Sequence, residues 1–92
     1  MADTYVELVT PAGTLFSGQA EMVACRTAGG DIAFLADHMP YVGALDPCLV
    51  RIVHPRGAGE ADELRFDAHD GFVEVNKNRV VILCGSAEPV EG

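Results

Sequence analysis

The residues with which this chain could do chemistry are three histidines, three cysteines and two serines, and none stands in a catalytic spacing. Asp37-His38 could act as an acid–base pair, because an adjacent carboxylate raises a histidine toward physiological pH. No nucleophile or oxyanion donor accompanies it. Ser17 and Ser86 lie outside any GxSxG elbow. Gly57-Ala58-Gly59 opens like a dinucleotide fingerprint, but Asp62 fills the third glycine position and no helical pattern follows. A phosphate-cradling GxxxxGK[ST] is absent. His38, His54 and His69 match no metal-ligand spacing. Asp67-Ala68-His69-Asp70 reads as a polar turn between strands, with Asp70-Gly71 as its turn chemistry, and only weakly as a chelating corner. Cys25, Cys48 and Cys84 form no CxxC, and each sits in an apolar run. They read as buried reduced thiols, which suits a reducing compartment. No catalytic, cofactor-binding or metal-ligating residue is expected.

What remains is a shaped surface. Gly29-Gly30-Asp31 forms a glycine tip, and Ile32 to Leu35 a short apolar strand. Asp37-His38-Met39-Pro40-Tyr41 then makes a corner. Tip and corner are separated by a strand of only ~15 Å. Met39 and Tyr41 are typical interface residues if exposed, and otherwise fill the end of a sandwich.

The elements that must hold this surface are strands. Apolar residues come in runs of four to eight, cut by Gly, Pro, Asn and Asp, and helical periodicity is nearly absent. Val6 and Leu8 alternate with Tyr5, Glu7 and Val9, as in a half-buried strand. Thr10-Pro11-Ala12-Gly13 has the proline and glycine of a tight turn. Strands are expected at 14–18, with a bulge or bend at Gly18, and at 21–28, 31–35, 48–53 and 64–67. Cys48 to Val53 is apolar on both faces, which predicts a central strand. His54 to Glu60 reads as an exposed loop. The clearest hairpin joins 71–75 to 79–84 through Asn76-Lys77-Asn78. Ile82 belongs to its core, where each buried aliphatic contributes ~1.5–3 kcal/mol. Ser86 to Gly92 reads as a frayed polar tail. Together these patterns predict one all-β domain over 1–92, a flattened β-sandwich or barrel of about ten short, mostly antiparallel strands.

Hydrophobic residues make up 49% of the 92 before ten glycines are counted, whereas ~45–50% is usual with glycine included. The excess fits a protein with a partner, or simply a high alanine content. Net charge is −8, Lys77 is the single lysine, and the arginines are scattered. No basic stripe exists to neutralise phosphates, which argues against nucleic acid and anionic membrane as partners. No apolar run approaches ~18 residues, so no direct membrane insertion by a helix is expected. The first residues lack a basic start and an apolar signal core.

Several segments, in one register from Thr4 to about Ala87, resemble the epsilon subunit of F-type ATP synthases. Gly30-Asp31-Ile32-Ala33-Phe34-Leu35 followed by His38-x-Pro40 is similar to its loop, strand and corner. Val6-Glu7-Leu8-Val9-Thr10-Pro11 with Leu15-Phe16-Ser17-Gly18 resembles its first hairpin. Ala44 to Ile52 resembles its next segment, and 71–75 with 78–83 its closing hairpin. Ala33, where the family usually has glycine or a small polar residue, and His69-Asp70 depart from the pattern.

The resemblance implies a ten-stranded sandwich in the central stalk of the rotor, non-catalytic, coupling proton flow to ATP synthesis. It implies a place on the cytoplasmic face of a bacterial inner membrane. It places the tip at Gly29, Gly30 and Asp31 against the polar loops of the c-ring. It places the corner at His38 and Pro40 against the gamma subunit, with Met39, Tyr41 and Gly43 added by proximity. The family usually continues into two regulatory helices that in some members bind ATP. The sequence stops at Gly92, so neither ATP binding nor helix-mediated inhibition by this polypeptide is expected. The alternative is a free-standing sandwich that binds a small ligand or metal at Asp67, His69 and Asp70.

Overall fold

In a computed structural model of the chain, residues 3–37, 39–55 and 62–90 are described. Eight strands, and no helix, are found among them: β1 (Thr4–Thr10), β2 (Gly13–Ala20), β3 (Met22–Thr27), β4 (Gly30–Leu35), β5 (Tyr41–Leu45), β6 (Cys48–Val53), β7 (Glu63–Asn76) and β8 (Arg79–Pro89). They form one mixed sheet in the order β2-β1-β8-β7-β5-β3-β4, with β6 bridging β3 and β7. That bridge folds the sheet back on itself, so two layers face each other across one core. The Cα extents, 31 × 30 × 21 Å, are those of a flattened sandwich.

The core follows from alternation. Val6 and Leu8 of β1, Val23 and Cys25 of β3, Phe34 of β4, and Val50 and Ile52 of β6 all point inward and are buried. Val80 and Ile82 do the same in β8, which lies between β1 and β7. All pairings are antiparallel except β1 with β8, where Val6 opposes Val80 and Leu8 opposes Ile82 in a parallel ladder.

Fewer than ten strands are found because the last two are long. β7 runs unbroken for 14 residues and β8 for 11. The expected turn at Asp67–Asp70 is therefore corrected, since it lies inside β7. Asp70 takes a left-handed φ of 58° there, which bends the strand without ending it. Before the bend Phe66 and Ala68 face the core, and after it Val73 and Val75 do. The inward set thus changes from even to odd positions. β7 uses the bend to change layers, pairing with β6 over 63–68 and with β5 over 71–75. Opposite it, β8 re-phases at Gly85, from Cys84 to Ala87. The expected frayed tail is corrected by the same fact, because Ser86–Pro89 pairs with Phe66–His69.

Four smaller differences have local causes. The bulge lies at Leu15, where the register skips from Leu8–Phe16 to Val9–Thr14, and not at Gly18. β6 is paired on both sides, but its outer face carries Leu49 and Arg51 and is exposed. β5, not anticipated from the sequence, runs unbroken through Gly43, which breaks its apolar pattern but pairs with Val73 in the ladder. The loop expected over 54–60 lies mostly outside the described residues, although Pro55 is described and buried.

Two turns form as their residues dictate. Thr10 Oγ1 accepts from the Ala12 N–H and donates to the Gly13 carbonyl, both at 3.2 Å, closing the β1–β2 turn. Lys77 and Asn78 both take positive φ, 51° and 59°, as a two-residue type I′ hairpin requires.

Candidate functional site: a docking face with two ends

Tip and corner occupy opposite ends of β4, whose six residues span roughly 17 Å. At the tip, Gly29 is exposed and Gly30 has φ 115°, which its lack of a Cβ permits. Thr27 fixes the turn from below. Its Oγ1 accepts from the Gly29 N–H at 3.2 Å and donates to the Gly30 carbonyl at 3.4 Å. Asp31 is not a free carboxylate. Arg26, directly opposite in the ladder, donates Nε to its Oδ1 at 2.8 Å. That hydrogen bond and the guanidinium charge lower the Asp31 pKa and raise that of Arg26. Both side chains are exposed, so the pair shapes the tip more than it stabilises the fold.

At the corner, His38 lies outside the described residues. Met39 is 76% exposed and Pro40 is exposed. Tyr41 and Gly43 lie on the inner side of β5. The Tyr41 ring packs on Phe34 with centroids 5.5 Å apart, and its hydroxyl donates to Thr27 Oγ1 at 3.0 Å. A Cβ on Gly43 would fall 2.5 Å from that hydroxyl, so glycine here makes room for the ring. The outward positions of β5 are instead Val42, 69% exposed, and Ala44.

Those two begin a surface that reading along the chain missed. Ala44 opposes Phe72, Phe72 opposes Leu83, and Leu83 opposes Val9. Four strands therefore carry one apolar row across the outer face, with Phe72 47% and Leu83 39% exposed. The next row runs Val42, Glu74, Val81 and Glu7, and adds a carboxylate edge. Arg79 pairs with Glu7 and stacks over the Tyr5 ring at 5.4 Å. The signal lay in the sequence as outward members of alternating strands, but only the ladder registers bring them together. A continuous exposed apolar row of this kind makes the face a candidate interaction surface.

The other chemical candidates resolve separately. His69 Nε2 lies 3.3 Å from Asp67 Oδ1 along one strand, and His54 Nδ1 lies 2.7 Å from Glu21 Oε1. No group of three potential metal ligands converges among the described residues. All three thiols are free. Burial, with a smaller contribution from Cys48, pushes Cys25 up to about 12. Burial also raises Cys48 and Cys84.

Residues 3–90 match the family described as ATP synthase, Delta/Epsilon chain, beta-sandwich domain. Among curated relatives, the ATP synthase epsilon chain of Brevibacillus brevis is 40% identical over 88 residues, covering 96% of this chain and 64% of that one. That of Thermobifida fusca is 39% identical, covering 95% and 63%. That of Desulforudis audaxviator is 37% identical, covering 94% and 59%. The chain thus spans about three fifths of the length of these relatives. Among solved structures, a chain of the Euglena gracilis mitochondrial ATP synthase assembly (OSCP, F1 and c-ring) has a TM-score of 0.83 at 22% identity, over 97% of this chain and 54% of that one. A chain of the Tetrahymena thermophila mitochondrial central stalk and c-ring has 0.72 at 18%, over 91% and 64%. The structural likenesses carry the fold; the sequence match over nearly the whole chain shows that it belongs to the delta/epsilon chain family of ATP synthases, as that family's β-sandwich domain.

Proposed function

We propose that this chain is a non-catalytic rotor component of a proton-translocating F-type ATP synthase, peripheral on the cytoplasmic face of a bacterial inner membrane. It docks on the gamma subunit through the corner and the apolar row, and on the c-ring polar loops through the tip. The observation that carries this reading is the row Ala44–Phe72–Leu83–Val9, continuous along β5 with Val42 and the corner at Met39. A rigid sandwich whose apolar row ends beside a polar tip, where the Ala28 N–H donates to the Ala44 carbonyl at 3.2 Å, suits a part that turns with its neighbours as one body. The names of the relatives and of the structural neighbours support the assembly.

The test is co-elution of the chain with the gamma subunit of its own source, followed by native mass spectrometry. A one-to-one complex that Phe72→Glu abolishes supports the reading. A folded chain that ignores gamma, or a Phe72→Glu variant that binds normally, removes it. For the tip, Asp31→Lys is expected to weaken coupling of proton flow to synthesis while leaving the melting temperature unchanged.

A further inference from the structure

We propose that Asn78 is a latch that sets the conformation of the docking corner; this rests on the gamma-docking reading for its purpose, though not for its geometry. Asn78 is the second residue of the β7–β8 turn, 41 positions from the corner in sequence. Its Oδ1 accepts the Asp37 N–H, and its Nδ2 donates to Asp37 Oδ1 at 3.2 Å. Its own carbonyl accepts from the Tyr5 N–H at 2.8 Å. One residue thus ties the start of β1, the tip of the last hairpin and the corner.

The chemistry of the contact selects asparagine. The partner offers a backbone N–H and a carboxylate on the same residue, so the latch must accept and donate from one planar group. Aspartate accepts but cannot donate, and serine is too short to bridge both. Asp37 has a left-handed φ of 64°, unusual for a residue that is not glycine, and the latch holds it there. Beyond it comes Met39, largely exposed, with three rotatable bonds. A partner that had to order this segment on binding would lose affinity to the ordering cost, and a corner held in advance avoids it.

The contact separates from hairpin stability. Glycine is favoured at the second position of a type I′ turn, so Asn78→Gly keeps the turn and deletes only the side chain. The experiment compares the unsubstituted chain with Asn78→Gly, Asn78→Asp and the exchange pair Asp37→Asn with Asn78→Asp. It measures affinity for the gamma subunit, amide hydrogen exchange at Asp37, and melting temperature. Asn78→Gly is expected to melt like the parent, to exchange the Asp37 amide about ten-fold faster, and to bind gamma about ten-fold more weakly. Asn78→Asp sets two carboxylates face to face and is expected to lose as much. The exchange pair keeps the backbone N–H of residue 37 donating to the side chain at 78, restores the side-chain bond with donor and acceptor exchanged, and is expected to return to within about two-fold of the parent. Unchanged Asp37 exchange in Asn78→Gly overturns the latch, and so does an exchange pair no better than Asn78→Asp. Faster exchange with unaltered gamma affinity overturns its role in docking. If the parent itself fails to bind gamma, the docking reading falls, and hydrogen exchange still decides the latch.

Discussion

Replacing Gly71 with alanine tests whether β7 must pass so close to β8 where it changes layers. A Cβ at this position would sit 1.9 Å from the Leu83 carbonyl oxygen and 2.6 Å from the Cys84 Cα. Both are backbone atoms, so no rotamer change relieves the contact. Real Cβ atoms essentially never approach closer than 3.0 Å, so the two strands must part by about 1 Å. That stretches the flanking ladder bonds, each contributing ~0.5–1.5 kcal/mol, and adds an overpacking cost of ~1–3 kcal/mol. The expected loss is about 3 kcal/mol, from a total of roughly 5–14 kcal/mol for a chain of this length. At ~4–8 °C per kcal/mol, the melting temperature should fall by more than about 10 °C. Gly85→Ala is the control. Its Cβ would lie 3.3 Å from that of Asp70 and 3.5 Å from the Asp70 carbonyl oxygen, tight contacts that a shift of a few tenths of an ångström relieves, and the expected cost is under about 1 kcal/mol. Urea unfolding followed by circular dichroism measures both. A Gly71→Ala variant within about 0.5 kcal/mol of the parent, or less affected than Gly85→Ala, refutes the account of the crossing.

Glu63 bonds to Arg51 Nη2 at 2.9 Å and to Arg65 Nε at 2.7 Å, and these bonds lower its pKa from the ordinary 4.5 to about 2. The stabilisation is complete above pH 4.5 and is lost as pH falls toward 2, so acid titration of Glu63→Gln should show a shallower loss over that window. Thr4 is fully buried, and its Oγ1 has no hydrogen-bond partner among the described residues; Thr4→Val should therefore raise stability by about 1 kcal/mol in the same urea assay. With Cys25 pushed up to about 12, iodoacetamide at pH 8 should leave it unmodified in the folded chain and label it in urea, as peptide mass mapping would show.

Local chemistry was legible wherever one turn or one strand decided it. Pro11 and Gly13 marked the first turn, Asn76-Lys77-Asn78 the last, and Val6, Leu8, Val80 and Ile82 the core. What stayed hidden was the change of phase. Reading β7 as a single alternation fails at Asp70, because a left-handed residue moves the inward set from even to odd positions. The polar run Asp67–Asp70 then looks like a turn. Gly85 hides the continuation of β8 in the same way, since Ser86–Pro89 resumes pairing in the other layer. The face proposed for docking was only half legible. Met39 stood out by its type, whereas Val9, Ala44, Phe72 and Leu83 belong to four different strands and become neighbours only through their registers. Asn78 was legible as a turn former, and its side-chain contact with Asp37 has no trace in local sequence.

The parallel ladder between β1 and β8 has a consequence for how the chain comes to be folded at all. Val6 meets Val80 and Leu8 meets Ile82 at a separation of 74 positions, so the first strand gains its second neighbour only when the last one arrives. Topologies dominated by such distant pairings fold slowly, in milliseconds to seconds. At ~5–20 residues per second, translation leaves the β1–β2 hairpin, complete at residue 20, with an open edge for roughly 3–13 s before residue 83 is made. During that interval Val6 and Leu8 face water, and β1 offers its unpaired backbone to any passing strand. The nascent chain is therefore most vulnerable to aggregation at β1, and the arrival of β8 relieves the hazard.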